Sequence, residues 1–517
     1  MKQLQTLSVV SPGFFGLNTQ ESGITLSPNF AQLTDNVIID KYGRLGSRKG
    51  WQMLTTDGAT TLSGTAIEFL SEHVNADNSV VTLSGGDNTV FKNGDDADVL
   101  VDITPAAYTI TGNNWKAANL YDHSLLVQSG HAPLVYTEST SPACQTLTGY
   151  TGVAQSYGTA YPNDVIAAYG RFWVHDNDNI YWSTDLADTA FPAFNGGTSG
   201  FLNIASVLPN NVDTVIGLAA HNDFLIIFCE RNIVIYSGAA DPLGEFQLAD
   251  VIAGVGCVAR DSIQSTGGDL IFLSDTGVRS LGRLLQEKSL PMRDLTKNVR
   301  DDLIKDLLQE RLNNNGLAKV KSAYSEVNAF YLLSFPSTST VYCLDMRQPL
   351  EDGSSRVTQW YEYEAKAFVR KRDRELLIGK TNGIGRYFGY TDNGEAYRLR
   401  YFSHYLDLQS PTTLKILKQI SATVIGGSNQ SFVIKSSFDY STAARSYPFT
   451  IADRGVSEYG LAEYGVSEFS FGIILDSIKS SVGGNGNTIQ IGFEANVQGN
   501  ELSVQKLDIF VKTGRTS

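Results

Sequence analysis

Cysteine is scarce in this chain: Cys144, Cys229, Cys257 and Cys343 are the only 4 in 517 residues, far apart and without a Cys-x-x-Cys pair. That spacing excludes a zinc ribbon and a disulfide framework, and fits folding in a reducing compartment. Histidine is also sparse. His73, His123, His131, His175, His221 and His404 contain no His-Glu-x-x-His and no pair four residues apart, so a histidine metal site has no support. No apolar run approaches the roughly 18 residues of a membrane-spanning helix. The opening twelve residues hold one lysine in a broken apolar stretch, too short and polar for a secretory signal. A soluble protein without an export address is expected. Charge is low and one-sided, with 40 Lys and Arg against 54 Asp and Glu, a net charge of −14. This balance argues against a nonspecific nucleic-acid coat protein, because such binding rests on neutralising phosphates. The chain also lacks a Gly-x-Ser-x-Gly elbow, a phosphate-binding Gly-x-x-x-x-Gly-Lys-[Ser/Thr] loop and a complete Gly-x-Gly-x-x-Gly.

What is plentiful is the material of short strands and tight turns: 48 Gly, 24 Tyr and 25 Phe, with only 14 Pro. From about residue 80 one unit recurs, an apolar strand, a turn of Gly, Asn, Asp or Ser, and a second apolar strand. The first strands begin at Val80, Ser124, Arg171, Phe224, Leu270, Phe330 and Leu376, at intervals of roughly 44 to 60 residues. Blade repeats of β-propellers run about 40 to 50 residues. An all-β propeller of about seven blades is therefore expected over 61–410, in preference to unrelated antiparallel sandwiches. The longest interval contains one helix. Val299, Leu303, Ile304, Leu307, Leu308 and Leu312 follow the 3.6-residue period, Thr296 stands as N-cap, and the run 313–316 is a stop. This helix is expected to pack on a blade, with a subunit contact as the alternative.

Two segments fall outside the repeat. Residues 1–60 read as a lead-in or docking segment, and 411–517 as a separate C-terminal β-sandwich with alternating apolar positions. Within the latter, Gly455-Val-Ser-Glu-Tyr459, Gly460-Leu-Ala-Glu-Tyr464 and Gly465-Val-Ser-Glu-Phe469 form a five-residue repeat that fits neither helix nor strand. It reads as an exposed loop presenting Glu458, Tyr459, Glu463, Tyr464, Glu468 and Phe469.

Candidate chemistry is thin. The runs 93–98 and 176–179 carry alternating Asx oxygens but lack the Gly and Glu of a calcium loop. They read as turns. Ser183-Thr-Asp185-Leu-Ala-Asp-Thr189 resembles one imperfect copy of the Asp box of sialidase propellers, with Ala187 and Ala190 at the family's glycine and tryptophan positions. No catalytic, cofactor or metal residue is assigned, and no enzyme activity is expected. Two basic clusters interrupt the acidic background: Lys41, Arg44, Arg48 and Lys49, and Lys366, Arg370, Lys371, Arg372 and Arg374. Each is a solvated face or a docking patch for an acidic partner or DNA.

Four stretches together resemble the tail nozzle, or tail hub, proteins of short-tailed bacteriophages, the packaged-DNA stabilisation class. Asn36-Val-Ile-Ile-Asp-Lys-Tyr-Gly43-Arg-Leu-Gly-Ser-Arg48-Lys-Gly50-Trp51 is similar to the family's opening, with Lys49 in place of its proline. Tyr169-Gly-Arg171-Phe-Trp followed by Ile180-Tyr-Trp-Ser183 resembles its Gly-Arg-aromatic hairpin. The stretch from Val215 through Asp223 to Gly238, followed by the turn Gly254-Val-Gly-Cys257, resembles the next. The helix lies where the family places one between blades. The resemblance covers roughly 30–315.

It implies a structural virion protein of the tail, assembled in the host cytoplasm and forming a closed ring that is a hexamer. Implied partners are the head-to-tail adaptor, tail fibre or needle proteins, and genome DNA passing without sequence recognition. No cofactor is implied. Six chains of −14 carry about −84, so an acidic or neutral channel is expected, gated by propeller loops or the glutamate repeat. The basic clusters would then face other proteins. The alternative is a propeller lectin or sialidase-like glycan hydrolase.

Overall fold

Each of the seven turn sequences closes a two-stranded hairpin in the computed structural model. In the first, Val80–Gly86 pairs antiparallel with Thr89–Gly94 across Asp87 and Asn88, at φ 51° and 57°. Two central residues in the left-handed region make the mirror-image turn whose twist matches that of its strands. The structure describes residues 4–516 apart from 24–25, 55–61, 63, 95–98, 141–142, 148–160, 177, 186–192, 195–196, 209–212, 287–293, 314–315 and 452–474. The pentapeptide repeat, with Glu458, Tyr459, Glu463, Tyr464, Glu468 and Phe469, lies outside the described residues.

Five of the hairpins are the middle pair of a four-stranded antiparallel sheet, the fifth is the outer pair of a three-stranded one, and the sixth is the middle pair of four antiparallel strands whose sheet continues beyond the blade. The sheets span 69–102, 116–146, 164–203, 215–253, 264–280, 321–361 and 367–387. They are the seven blades of a β-propeller. First strands of neighbouring blades touch in succession from the first to the fourth and from the fifth to the seventh, and Ala367–Arg370 of the seventh returns to Phe69–Val74 of the first. Burial explains the continuous apolar runs. In Phe224–Cys229, Leu225, Ile227 and Cys229 pack toward the third blade, while Ile226 and Phe228 pack toward the fifth. A strand buried on both faces has no polar alternation to show.

Among the described residues the fifth blade has three strands, and Leu281–Gln286 continues from its last as a short helix. The longer helix, Arg300–Asn313, follows a 3-10 turn, Lys297–Val299. Thr296 does not cap it: the Thr296 hydroxyl donates to Asp294 at 2.7 Å and accepts from the Val278 amide at 3.0 Å. Val299, Leu303 and Leu307 enter the core between the fifth and sixth blades, whereas Leu308 and Leu312 are 51% and 82% exposed. The expected apolar face is therefore wider than the face that packs.

The remaining strands form a β-sandwich built from both ends of the chain. One sheet joins Leu475–Gly486, Thr413–Gly426 and Leu502–Thr516 to Leu45–Ser47 and Val37–Ile39, with Leu4–Val10 also on Leu502–Thr516. The facing strands are Phe30–Asp35, Tyr397–Ser403, Ile489–Val497, Ser431–Phe438 and Arg445–Thr450. The expected boundaries at 60 and 410 need correcting. Residues 4–47 are sandwich strands and connections, Trp51–Met53 is the outer strand of the seventh blade, and Tyr397–Ser403 lies in the sandwich. Leu4 pairs with Lys512. No local pattern announces a partnership across that separation.

Gly50 is the point where the chain leaves the sandwich to close the ring. A Cβ there would lie 1.9 Å from the Thr391 carbonyl oxygen. Gly50→Ala is predicted to lower unfolding free energy by about 3 kcal/mol, measured by urea denaturation. Gly268→Ala, with nothing within 4 Å of the added atom, should change it by less than about 0.5 kcal/mol.

Candidate functional site

The basic run 41–49 does not make a surface. Arg48 is 0% exposed. Its guanidinium grips Asp392 with two hydrogen bonds, of 2.8 and 2.7 Å, and donates through Nε to Asn36 at 2.9 Å. The Tyr397 and Tyr363 rings flank it at 4.0 and 4.5 Å, and the Tyr397 hydroxyl donates to the Arg48 carbonyl. Burial opposes the charge, but the Asp392 carboxylate outweighs it and holds the guanidinium above its ordinary pKa. Asn36 and Tyr397 belong to the sandwich side, and Tyr363 and Asp392 flank the seventh blade. Arg48 is thus the fastener between the two bodies, correcting its expected place in a docking patch.

Its neighbours divide the same way. Arg44 is buried and pairs with Asp40 at 2.7 Å, Lys49 is half-buried, and Lys41 is exposed beside Tyr42. Beside the fastener, Lys380 is 3% exposed, with its ammonium 4.5 Å from the Trp51 ring and 4.3 Å from that of Tyr363. Burial pushes this ammonium down to about 7.

The second basic cluster is split between a cavity and a turn. Lys366 lines the mouth of the propeller axis. Arg370 pairs with Glu326, Lys371 with Asp373 at 2.9 Å, and the Arg372 amide donates to Glu72 at 2.8 Å. Arg372 and Arg374 are exposed. Carboxylates are interleaved through this turn, so it is not a field of one sign.

A polar cluster that the sequence did not reveal crosses the propeller axis. Arg260, from the 3-10 turn Arg260–Ser262, donates to Asn114 Oδ1 at 3.0 Å, to the Asn163 carbonyl at 2.5 Å and to Asp261 at 2.9 Å. Asp261 also accepts from Lys321 and lies 3.4 Å from Lys116. Burial alone would raise the Asp261 carboxyl, but Arg260, Lys321 and Lys116 together hold it well below the usual carboxylate range. These bonds tie the second, third and sixth blades together through the middle of the ring. In sequence, Arg260-Asp261 is an ordinary pair of opposite charges; only closure of the ring brings Lys116 and Lys321 to it.

Two cavities flank the cluster. An inner one, of about 200 Å³, is lined by Glu68, Trp115, Lys116, Asp261 and Lys321. An open one, of about 470 Å³, is lined by Glu68, Asn114, Gln128, Asn163, Lys321 and Lys366, among others.

Asp185 faces Arg171 at 3.8 Å, while Asp188 lies outside the described residues. Among the described residues no group of three His, Cys, Asp or Glu is placed to hold a metal ion. His175 is buried, and burial pushes it down to about 3, so the ring is neutral. The four cysteines are buried thiols.

No protein-family model matches the chain, and no curated protein sequence matches it. Among solved structures it is similar to YCF48 bound to D1 peptide, at 10% identity and TM-score 0.38, covering 64% of this chain and 96% of that one. The Neurospora crassa Pan2 WD40 domain matches at 8% identity and TM-score 0.37, over 68% of this chain and 96% of that one. The extracellular domain of a putative hybrid two-component system, BT4673, from B. thetaiotaomicron matches at 13% identity and TM-score 0.32. Here the chain covers 78% of itself and spans 57% of that protein.

Lys380 gives the junction a pH signature. Its folded pKa of about 7 lies below the ordinary 10.5, so between these values the unfolded chain holds a proton that the folded chain does not. Stability must therefore rise with pH across that window. Between about pH 7 and 9.5, urea unfolding of wild type is predicted to gain stability relative to Lys380→Met; parallel curves would show that Lys380 keeps its charge.

Proposed function

We propose that this chain is a structural subunit of the tail of a short-tailed bacteriophage, a nozzle or hub ring that docks on the head-to-tail adaptor and conducts and retains genome DNA. The observation that carries this reading is how its charged interior is employed. Arg48–Asp392 and the Arg260–Asp261–Lys321 cluster hold parts of the molecule together, as suits a subunit that bears load rather than turns over substrate. The sequence resemblance over 30–315 supplies the identity of the assembly. Its ring is six-fold, with tail fibre or needle proteins as further partners, and the assembled particle is a virion tail built in the host cytoplasm.

DNA in this reading runs between subunits, because Arg260, Asp261 and Lys321 are bonded to one another and to Asn114 across the propeller axis. A net charge of −14 per chain favours a wall over which the duplex slides. The glutamate repeat is the proposed gate. The lectin or glycan-hydrolase alternative has less support, since Asp185 is engaged by Arg171.

Negative-stain imaging of the purified chain with its adaptor should show a closed six-fold ring. Duplex binding by that ring should be weaker than micromolar at physiological salt. A chain that stays monomeric with adaptor, or a ring that holds duplex tightly, contradicts the reading.

A further inference from the structure

Among the described residues the buried arginines are Arg44, Arg48, Arg171, Arg260, Arg279 and Arg356. Five of them spend their guanidinium groups inside the protein. Arg44 bonds Asp40 and Arg48 bonds Asp392, while Arg171 bonds Ser183 and Thr198. Arg260 bonds Asp261 and Asn114, and Arg279 bonds Ser274 and Thr276. Arg356 is the exception. It is only 8% exposed, yet it donates no hydrogen bond within the protein and pairs with no carboxylate among the described residues.

Arg356 opens the strand Arg356–Tyr361 of the sixth blade, directly opposite Asp345. That carboxylate is already engaged. Arg347 donates to Asp345 Oδ1 through its amide and its Nη1, both at 3.2 Å, and the same Nη1 reaches the Ile39 carbonyl at 2.9 Å. With Ile39, Phe330, Cys343 and Thr358, these three charged residues line a pocket of about 10 Å³. The Arg356 Nε is sealed within the protein, whereas Nη1 and Nη2 are not. Two guanidinium groups against one carboxylate leave one positive charge over. A buried charge is costly unless a counter-charge meets it.

We infer that this pocket binds one monatomic anion of the halide class, chloride in ordinary solution, held by the Arg356 guanidinium. A volume of about 10 Å³ has room for about one water-sized particle. Phosphate and sulfate, with four oxygens around a centre, exceed it. A water molecule fits but leaves the charge uncompensated. The place matters for the fold, since Arg347 ties Ile39 of the N-terminal segment to the sixth blade at this point. The anion therefore stabilises the seam between that blade and the sandwich. One chain makes the whole site, which needs neither ring nor adaptor, so it is tested apart from the proposed function.

The experiment follows urea unfolding of the full chain at constant ionic strength while sodium chloride replaces sodium sulfate, for wild type and Arg356→Met. Comparison with the variant cancels the general strengthening of burial by sulfate. Chloride should lower the unfolding constant of wild type relative to the variant, by about tenfold once it reaches about ten times its dissociation constant. Crystals grown in sodium bromide should show an anomalous peak in contact with Arg356 Nη1 or Nη2. Equal chloride dependence of wild type and Arg356→Met overturns the inference. So does a bromide map without a peak at Arg356, a result that decides the matter even if the variant does not fold.

Discussion

A propeller depends on one constraint above all: the last blade must be joined to the first. Unclosed, the seventh blade would present a bare outer edge, and the inter-blade cores on either side of it would lose their support. Here Trp51–Met53 pairs with Gly383–Tyr387 and completes the blade. The segment enters past Gly50, whose backbone lies against Thr391, and immediately after Arg48. The guanidinium fixes both the closing strand and the Asp392 loop beyond the blade. Burying such a charge is costly unless its partners are well placed. With a bidentate carboxylate, an amide oxygen and two aromatic faces, the position is specified tightly.

The same segment makes the sandwich inseparable from the propeller. The sheet of the sixth blade continues through Gly16–Leu17 and Phe30–Asp35 into Tyr397–Ser403. That continuation covers an outer edge that would otherwise invite another strand. At the axis the second charged cluster acts across blades rather than along them, so Lys116, Arg260 and Lys321 are held in place by Asp261 from different directions.

How much of this was legible follows from range. The seven hairpins were readable because turn and strand are adjacent, and Asp87-Asn88 or Ser129-Gly130 announces itself in a few residues. The number of blades followed from their spacing. The sandwich was visible in alternating runs such as 432–438, but its N-terminal half was not. Leu45–Ser47 and Val37–Ile39 are three-residue strands, too short to show a period. Basic clustering misled at 41–49, because sequence cannot tell an Arg on a turn from one buried by strands 340 residues away. Leu308 and Leu312 fit a helical stripe of which only Val299, Leu303 and Leu307 reach the core. The axial cluster had no signal of its own, being assembled only when the ring closes.

The central claim is that the N-terminal segment is a structural member of both bodies and not a free docking arm. Native-state hydrogen–deuterium exchange on the isolated full chain tests it directly, by comparing peptides over 4–10, 45–53, 383–387 and 502–512. The account predicts that amides of the closing strand and of Leu4–Val10 are protected along with their partners Gly383–Tyr387 and Leu502–Thr516. Rapid exchange throughout 4–53, with the blades and the C-terminal strands still protected, would contradict it.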